Sequence, residues 1–417
     1  IDMVTGSFLV EQCDFIINDI TGTCPVERTY ESLLAEDDSP VGRGWTLSLF
    51  SRAYLYDDRV EIVLPDNHTE TFLRTKEGFR NRRGGSKSLS LKEQEGGFLL
   101  TEAVTGRTRL YDMAGKQLYA ADRNGNRTVY EYSGGTLQSI RFASGQHLDF
   151  VWQGNKITEM KDCLGRAVTY RYEGELLVEA GIATGGREHY SYDREGRITD
   201  ITNANGITYV HNEYDRKGRV TRQKLSDGQE YILLYGDDDR RNTYLVPANG
   251  QEICYHYNKD RQLIRAQYQD GTAEEYAYDA WENRIYEKDR RGGERRRTFD
   301  EYGHLLQETL PNGLTVSYAY DGEGNCIRRW DSEGRESRYA YDGKGNLLRE
   351  TERLDGAGER EIRYEYDQYG RVTAFTDGNG HRETYGYETG FWESTAFVSA
   401  GGVCYRHGLD EAGRCVT

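Results

Sequence analysis

The chain has 417 residues, a formal net charge of −16 at pH 7, 36% hydrophobic residues and 33 tyrosines. The acidic balance disfavours nucleic acid or an anionic membrane as the main partner, because both attract basic surfaces. Long disorder is also excluded, since disordered segments are poor in aromatic residues and this chain has 12%. No apolar run is long enough to span a membrane, and no cleavable signal peptide is visible.

Residues 1–104 precede the repeated part of the chain and contain three short motifs. These are VTGSF at 4–8, ERTYES at 27–32 and GRGW at 42–45. A Thr-Gly pair, an Arg-Thr-Tyr-x-Ser segment and a Gly-x-Gly-Trp segment, in this order, form a specific sequence signature. The candidate motif residues of this part are Thr5, Gly6, Arg28, Thr29, Tyr30, Gly42, Gly44 and Trp45.

Residues 105–417 repeat with a period of about 21. The stretch YAYDGEGNCI at 318–327 recurs as YAYDGKGNLL at 339–348. Apolar positions follow a period of two, and glycine recurs too often for helices, so each unit is predicted to be a β-hairpin. The second aromatic residue of each unit marks the register: Tyr111, Tyr132, Trp152, Tyr172, Tyr192, Tyr214, Tyr235, Tyr257, Tyr278, Phe299, Tyr320, Tyr341, Tyr366 and Tyr387.

A turn follows this aromatic residue in most units, with Asp at its first position and Gly at its fourth. We expect the Asp side chain to bond to backbone N–H groups two or three residues on. The Gly would supply the positive φ that closes a type I turn with a bulge. One variant, DAWEN at 279–283, lacks the Gly. The candidate repeat residues are Tyr192, Asp193, Gly196, Tyr214, Asp215, Gly218, Tyr278, Asp279, Tyr320, Asp321, Gly324, Tyr341, Asp342, Gly345, Tyr366, Asp367 and Gly370.

The predicted fold is all-β: one long antiparallel sheet of hairpins, which we expect to be truncated at its C-terminal end. A sandwich or small barrel needs one solidly aliphatic face, which this composition does not supply. We therefore expect a single-layer sheet that has water near both faces. Rows of tyrosine rings packed across strands would help to hold it. Natural twist makes such a sheet curve, and closure on a large radius would give a hollow shell.

The repeated Tyr-x-Tyr-Asp-x-x-Gly-Arg/Asn units resemble the YD repeats of Rhs proteins, Tc toxin C components, wall-associated protein A and teneurins. The three motifs of residues 1–104 resemble the β domain that precedes the repeats in bacterial Rhs proteins. The resemblance implies a hollow β-cocoon. Such a shell encloses a C-terminal toxin until delivery to a target cell, often by a type VI secretion system in interbacterial competition.

This resemblance sets the expected partners and location. The partners would be C-terminal toxin cargo or remaining shell segments, with a secretion-system spike or adaptor as a further candidate. The protein would be secreted or lie at the cell surface after synthesis in the cytoplasm. Members of the family carry a DPxGxxxxxN-like segment after the repeats, and none occurs here. We therefore expect part of a larger shell and do not carry self-cleavage over to this chain.

No motif predicts a catalytic residue, a cofactor or a metal. Cys254 with His256, and Cys404 with His407, lack the four ligands of a structural zinc site. Turn formation explains the aspartates of DGEGN at 321–325 and DDD at 237–239 without calcium. The basic run at 290–297 favours a solvated strand face. The scattered cysteines show no disulfide framework, which indicates reduced thiols: Cys13, Cys24, Cys163, Cys254, Cys326, Cys404 and Cys415.

Two other functions stay open at this point. Rows of exposed tyrosines can stack on sugar rings, so a carbohydrate-binding or adhesion module is the main alternative to a shell. An enzyme is the third hypothesis. It has no supporting arrangement of residues, because the repeated aspartates are explained by their turn position.

Overall fold

The computed structural model describes residues 1–82, 87–181, 185–236, 242–247, 250–354, 358–388 and 390–416. Across these ranges the chain is built of β-strands and turns, with one turn of 3-10 helix at Ser32–Leu34 and no α-helix. No helix in the described part is long and apolar enough to cross a membrane. The predicted all-β class is confirmed.

The strands are numbered in chain order. The N-terminal part contains β1 Leu9–Asp19, β2 Gly22–Glu31, β3 Trp45–Leu47, β4 Arg52–Leu55, β5 Arg59–Val63, β6 Thr69–Thr75, β7 Gly78–Asn81, β8 Leu89–Gln94 and β9 Gly97–Glu102. The first repeats contain β10 Thr108–Asp112, β11 Gln117–Ala121, β12 Arg127–Ser133, β13 Thr136–Arg141, β14 His147–Gln153, β15 Lys156–Asp162, β16 Ala167–Glu173, β17 Leu176–Gly181, β18 Arg187–Tyr192, β19 Ile198–Thr202, β20 Thr208–Tyr214, β21 Val220–Leu225, β22 Glu230–Tyr235 and β23 Asn242–Pro247.

The later repeats continue in the same pattern. They contain β24 Ile253–Tyr257, β25 Leu263–Tyr268, β26 Ala273–Tyr278, β27 Arg284–Lys288, β28 Glu294–Phe299, β29 Leu305–Thr309, β30 Thr315–Tyr320, β31 Cys326–Asp331, β32 Glu336–Tyr341, β33 Leu347–Leu354, β34 Gly358–Tyr366, β35 Val372–Thr376 and β36 Arg382–Gly386. The C-terminal strands are β37 Ala396–Val398, β38 Cys404–Arg406, β39 Gly408–Leu409 and β40 Cys415–Val416.

One sheet dominates the molecule. Strands β8 to β38 pair with their chain neighbours, antiparallel throughout, in a sheet of 31 strands. Three small sheets accompany it: β1-β2-β3, β4-β5-β6-β7 and β39-β40. The long sheet of hairpins was predicted. It begins at β8, before the first repeat.

The register shifts by one residue at the second aromatic residue of most hairpins. Examples are the steps between Ser191 and Tyr192 and between Ala319 and Tyr320. A bulge here is the expected consequence of a type I turn closed by a residue with positive φ. The bulge recurs in each such unit and increases local twist, so it helps the sheet to coil.

The sheet coils back on itself, which is visible where turns distant in sequence touch. Lys87 forms an ion pair with Glu301 at 2.6 Å. The Asn124 Nδ2 donates to Asn346 Oδ1 at 3.1 Å, and the Asn126 Nδ2 donates to the carbonyl of Tyr369 at 2.8 Å. These partners lie 214 to 243 residues apart along the chain. One wrap of the sheet therefore rests, turn edge against turn edge, on another.

The N-terminal strands pack on the first half of the sheet and form a dense apolar core. Phe15, Val26 and Trp45 are at most 2% exposed and share one cluster with Ile140 and Ile201 of the repeats. A second cluster joins the β4–β7 sheet to β8–β10. The prediction of a single layer with water near both faces is wrong for this half. The composition averaged over the whole chain hid the apolar residues concentrated there.

The later repeats follow the prediction. Between residues 250 and 388, the only described hydrophobic residues that are buried are Tyr257, Ala266, Val316 and Ala374. No N-terminal element belongs to a core cluster with them. This half is a single-layer sheet held by its ladder, its turns and its side-chain network.

Candidate functional site

The turn aspartate of each unit closes a small hydrogen-bonded ring. Asp193 Oδ1 accepts the backbone N–H of Glu195 at 3.0 Å and of Arg197 at 2.9 Å, while its Oδ2 accepts Arg197 Nε at 2.7 Å. Asp215, Asp279, Asp321, Asp342 and Asp367 repeat this pattern. The partners lie two and four residues on, so the predicted spacing of two is confirmed and the predicted spacing of three is wrong.

The fifth turn residue is therefore part of the motif. Arg or Asn at this position holds the second carboxylate oxygen, as Arg219 does for Asp215 and Asn346 does for Asp342. The sequence motif contains this residue, but no role in the turn was predicted for it. Its recurrence as Arg or Asn directly after the Gly was the available signal.

The fourth turn position needs a left-handed backbone. Gly196, Gly218, Gly324, Gly345 and Gly370 have φ between 81° and 85°. In the DAWEN variant Glu282 adopts φ 69° at the same position. Glycine reaches this region without strain, which explains why most units use it.

The second tyrosine of a unit ties that unit to the preceding hairpin. The Tyr192 hydroxyl donates to the carbonyl of Leu177 at 2.6 Å, and Tyr341 donates to Cys326 at 2.8 Å. The same bond is made by Tyr132, Tyr172, Tyr214, Tyr235, Tyr320, Tyr366 and Tyr387. Each hydroxyl thus satisfies a carbonyl at the start of an earlier strand, next to the preceding turn.

The expected rows of packed aromatic rings form only near the C-terminal end, where Phe397 packs between Tyr385 and Tyr405 across neighbouring strands. Comparable rows of tyrosine rings are not seen in the other described repeats. The fifth residue of the preceding turn covers the ring instead. The Arg197 guanidinium lies 4.7 Å from the Tyr214 ring, Arg219 lies 4.2 Å from Tyr235, and His304 stacks on Tyr320 at 4.6 Å. The arginine thus pairs with the aspartate of its own turn and covers the tyrosine ring of the next unit. Charge pairing and cation–π contact replace ring-on-ring packing.

The pKa values of these groups follow from their contacts. Burial raises the pKa of Tyr320, Tyr341 and Tyr366 to about 12. Burial opposes ionisation of Asp342, but hydrogen bonds from Asn346 and Lys344 lower its pKa overall. Both shifts favour the protonation states that the repeat uses, a neutral hydroxyl donor and an ionised turn carboxylate.

The N-terminal motif residues form the contact with the first repeats. Tyr30 is fully buried, its hydroxyl donates to the carbonyl of Gly196 at 3.3 Å, and it accepts the N–H of Ile198 at 3.1 Å. The indole of Trp45 donates to the Tyr192 hydroxyl at 3.2 Å. The structure thus brings the two sets of predicted residues together around the turn at 193–197.

The remaining motif residues shape this contact. Gly6 has φ 74°, and a Cβ there would lie 2.6 Å from Arg219 Cβ. A Cβ on Gly44 would lie 2.6 Å from the Tyr30 ring, and a Cβ on Gly42 would lie 3.1 Å from Leu177 Cβ. Thr5 accepts the N–H of Ser7 at 3.2 Å, and the Thr29 carbonyl accepts Thr46 Oγ1 at 3.3 Å.

Arg28 lies at the centre of a buried polar network. Its Nε donates to Asp14 Oδ2 at 2.6 Å, and the Tyr170 hydroxyl donates to the same oxygen at 2.5 Å. The guanidinium lies 5.0 Å from the Trp45 ring. Burial disfavours the charge of Arg28, but Asp14 holds its pKa above the usual range. The network is fully enclosed, so we assign it a role in fixing the docked geometry.

The tyrosine face is the side of the sheet that carries both aromatic residues of each unit. Tyr190 on this face belongs to the apolar core. The equivalent Tyr276, Tyr318 and Tyr339 of later repeats are only half-buried. Their cross-strand partners are Glu287, Arg329 and Glu350, respectively. Among the described residues, the later repeats thus present a mixed aromatic and charged surface that shares no core cluster with an N-terminal element.

A metal site would require a cluster of side chains that can act as ligands. Among the described residues, no group of three or more His, Cys, Asp or Glu could hold an ion. The DDD segment at 237–239 lies outside the described residues. In the run at 290–297, Arg290 pairs with Asp270, and Arg295 and Arg297 pair with Glu287 and Glu308.

Two family models match the sequence. Teneurin YD-shell matches residues 240–393, and Domain of unknown function (DUF6531) matches residues 1–72. A search of curated proteins found no match. The first match lies within the repeats and the second contains all the N-terminal motif residues. The fold and the repeat geometry therefore define the class of protein as a YD-repeat β-shell.

The likeness to solved structures is one of fold alone. The Tc holotoxin pore of Photorhabdus luminescens shares 12% identity at a TM-score of 0.52, over 98% of this chain and 26% of that chain. The TcdB2-TccC3-TEV complex shares 11% identity at a TM-score of 0.46, over 94% of this chain and 27% of that chain. This chain spans about a quarter of their length. The two family-model matches and the shared fold support an Rhs/YD-repeat shell protein.

Proposed function

We propose that this chain is shell wall of an Rhs-type secreted toxin and encloses a C-terminal toxin until delivery. The observation that carries the proposal is the uncovered tyrosine face of the later repeats. In the earlier repeats that face is buried under the N-terminal strands. In the later repeats it lies open on a sheet that coils back on itself.

The chemistry of the open face suits an extended cargo chain. Half-buried tyrosines alternate with charged residues such as Glu287 and Arg329 across neighbouring strands. Such a surface offers hydrogen bonds and local apolar contacts but no large apolar patch on which a folded core would spread. It would hold a polypeptide without forcing one conformation on it.

The chain divides into two parts with different roles in this proposal. We propose that residues 1–104 act as the N-terminal β domain that closes one region of the shell, and that residues 105–417 supply the wall. The geometry of turn and tyrosine that recurs from unit to unit then has a structural role, and the chain is not an enzyme. The partners would be the toxin or further shell segments, with delivery by secretion, for example through a type VI spike.

The test is to express the encoding gene in full, purify the particle and treat it with a broad-specificity protease. We expect a segment outside residues 1–417 to survive uncut inside the particle, identified by mass spectrometry. Electron cryo-microscopy should show density against the face formed by residues 273–366. Absence of any protected segment would contradict the proposal.

The adhesion alternative is disfavoured by how the tyrosines are used. Their hydroxyls donate to backbone carbonyls, and arginines such as Arg197 and Arg219 cover ring faces that a sugar would need. We expect no specific, saturable signal on a glycan array. A signal that is lost on tyrosine substitution would instead support carbohydrate binding.

A further inference from the structure

One connection near the end of the sheet departs from the repeat. Residues 387–395 join β36 to β37, whereas a five-residue turn such as 193–197 joins the strands of a regular unit. The Asp-x-x-Gly pattern is replaced here, and the connection contains Phe391 and Trp392. We call residues 390–392 the inserted segment. Aromatic residues added at this point indicate a contact that the repeat itself does not supply.

The inserted segment meets the tip of the first hairpin, where β1 turns into β2. The Trp392 N–H donates to the backbone carbonyl of Asp19 at 3.1 Å. The carboxylate of the same residue accepts the N–H of Ser144 at 2.6 Å, and Asp19 is 4% exposed. One buried residue of the N-terminal part therefore bonds both to a turn of the earlier repeats and to the inserted segment.

The turn at 410–414 closes the same junction. The Asn18 Nδ2 donates to the carbonyl of Ala412 at 2.8 Å. The Gln146 Nε2, from the earlier repeats, donates to the carbonyl of Glu411 at 3.2 Å. Because both acceptors are backbone carbonyls, these bonds depend on the position of the turn rather than on its side chains.

The parts of the junction pack closely. Phe391 is 8% exposed. A Cβ on Gly413, where φ is 73°, would lie 2.8 Å from the Phe391 ring and 3.1 Å from Asn18 Cβ. A Cβ on Gly390 would lie 2.9 Å from the Ser144 carbonyl oxygen. Such approaches leave no room for one more methyl group, so the parts fit together in one arrangement.

We propose that the tip of the first hairpin, residues 18–22, is a clasp that fastens the end of the coiled sheet onto its beginning. Along the seam, earlier and later repeats meet turn to turn, as Asn124 and Asn346 do. At the clasp the N-terminal hairpin bonds to both. The described later repeats bury few apolar side chains of their own, so their coiling depends on such fastening.

Release of the clasp should open the seam from this end. Arg371 Nη1 donates to the carbonyl of Phe391 at 2.8 Å, so the turn at 367–371 is the next to lose a contact. The turn at 300–304, at the other end of the seam, should be affected least. This inference goes beyond encapsulation and holds whether or not the wall encloses a toxin.

The first test is hydrogen exchange of the full chain, read by mass spectrometry, in Asp19→Ala and Asp19→Asn. Asp19→Ala removes the acceptor for Ser144. Exchange at 142–146 and 390–392 should become about tenfold faster, as loss of a buried hydrogen bond implies. Asn keeps an acceptor oxygen and should restore most of the protection. Unchanged exchange in Asp19→Ala, or no rescue by Asp19→Asn, would overturn the proposal.

The second test is a matched pair of glycine variants, which decides the question even if Asp19→Ala does not fold. Gly413→Ala and Gly402→Ala both add a methyl group where φ is positive, at 73° and 79°. The first methyl group would meet Phe391, whereas nothing lies within 4 Å of the second. We therefore expect faster exchange at residues 18–22 in Gly413→Ala only.

The spread of the effect separates a clasp from a local contact. In Gly413→Ala, exchange should also rise in the turn at 367–371 and stay close to that of the natural chain in the turn at 300–304. Gly402→Ala should change neither turn. Equal effects of the two glycine variants, or an effect of Gly413→Ala confined to residues 410–414, would overturn the clasp.

Discussion

The earlier and later halves of the long sheet share one repeat but differ in what lies on the tyrosine face. In the earlier half, the cross-strand partners of the first aromatic residue are apolar: Ile140, Met160, Ala180 and Ile201. In the later half, several of these positions are charged: Glu287, Arg329 and Glu350. One backbone design thus serves two environments through a single position in each unit.

The difference shows which parts of the repeat determine the fold and which determine its environment. The Asp turn and the tyrosine-to-carbonyl bond occur in both halves, as at Asp193 and Asp342 or Tyr192 and Tyr341. They need no covering layer, because their partners lie within the sheet. The cross-strand partner instead decides whether the face accepts the N-terminal strands or stays open.

The largest effect is expected from exchanging apolar and charged residues at the cross-strand partner of the first aromatic residue. Ile201→Glu would place a charge in the core and should cost about 4 kcal/mol, as burial of an unpaired charge implies. Glu350→Ile changes the equivalent position opposite Tyr339 and should be neutral or slightly stabilising, because burial already disfavours the charge and raises the pKa of Glu350. Urea unfolding of both variants measures the contrast. Equal destabilisation would contradict it.

The second prediction tests the contact between the N-terminal motif residues and the first repeats, at Gly6, where the backbone lies close to Arg219 and Tyr235. Gly6→Ala adds a Cβ that would meet Arg219 and Tyr235 within 3 Å, at a backbone with positive φ. We expect a loss of about 2–3 kcal/mol from overpacking and strain together. Gly206→Ala is the control, with a similar φ and open space around the Cβ, and it should show only the smaller strain cost. A melting-temperature series distinguishes the two.

The seam between wraps should open locally when its central arginine is removed. Arg123 donates to Asn325 Oδ1 and to the carbonyls of Ala103, Val104 and Glu323. Arg123→Ala should cost about 1–2 kcal/mol and should speed hydrogen exchange in the turns at 321–325 and 342–346. Arg216→Ala, in an exposed turn position, is the control. Unchanged exchange at both turns would remove Arg123 from the seam.

Alkaline pH gives the smallest expected effect. The pKa of Tyr341 is raised to about 12, above its usual value near 10, so its contribution is fully present below about pH 10. That contribution is lost as pH rises through about 12. Tyr341→Phe deletes the bond to the Cys326 carbonyl and should flatten the decline in stability between these values. A decline identical to that of the natural chain would show that the hydroxyl is not involved.

The repeat register, hairpins and Asp-Gly turns could be predicted from sequence because each is local. The role of Arg197 and Asn346 in those turns was missed, although their fixed distance from the aspartate carried the signal. The docking of Tyr30 and Trp45 onto the turn at 193–197 could not be predicted, since it joins residues 166 and 147 positions apart. The apolar-to-charged switch was visible in the sequence at the residue 10 or 11 positions after the first aromatic. Whole-chain composition concealed it.

Hydroxyl-radical footprinting of the intact chain tests the central claim most directly, because it measures side-chain access to water residue by residue. Tyr170 and Tyr190 should be protected by the N-terminal strands, while Tyr318, Tyr339 and Tyr364 should react readily. Equal protection of the two groups, or stronger modification of the first, would contradict a sheet whose tyrosine face is covered in one half and open in the other.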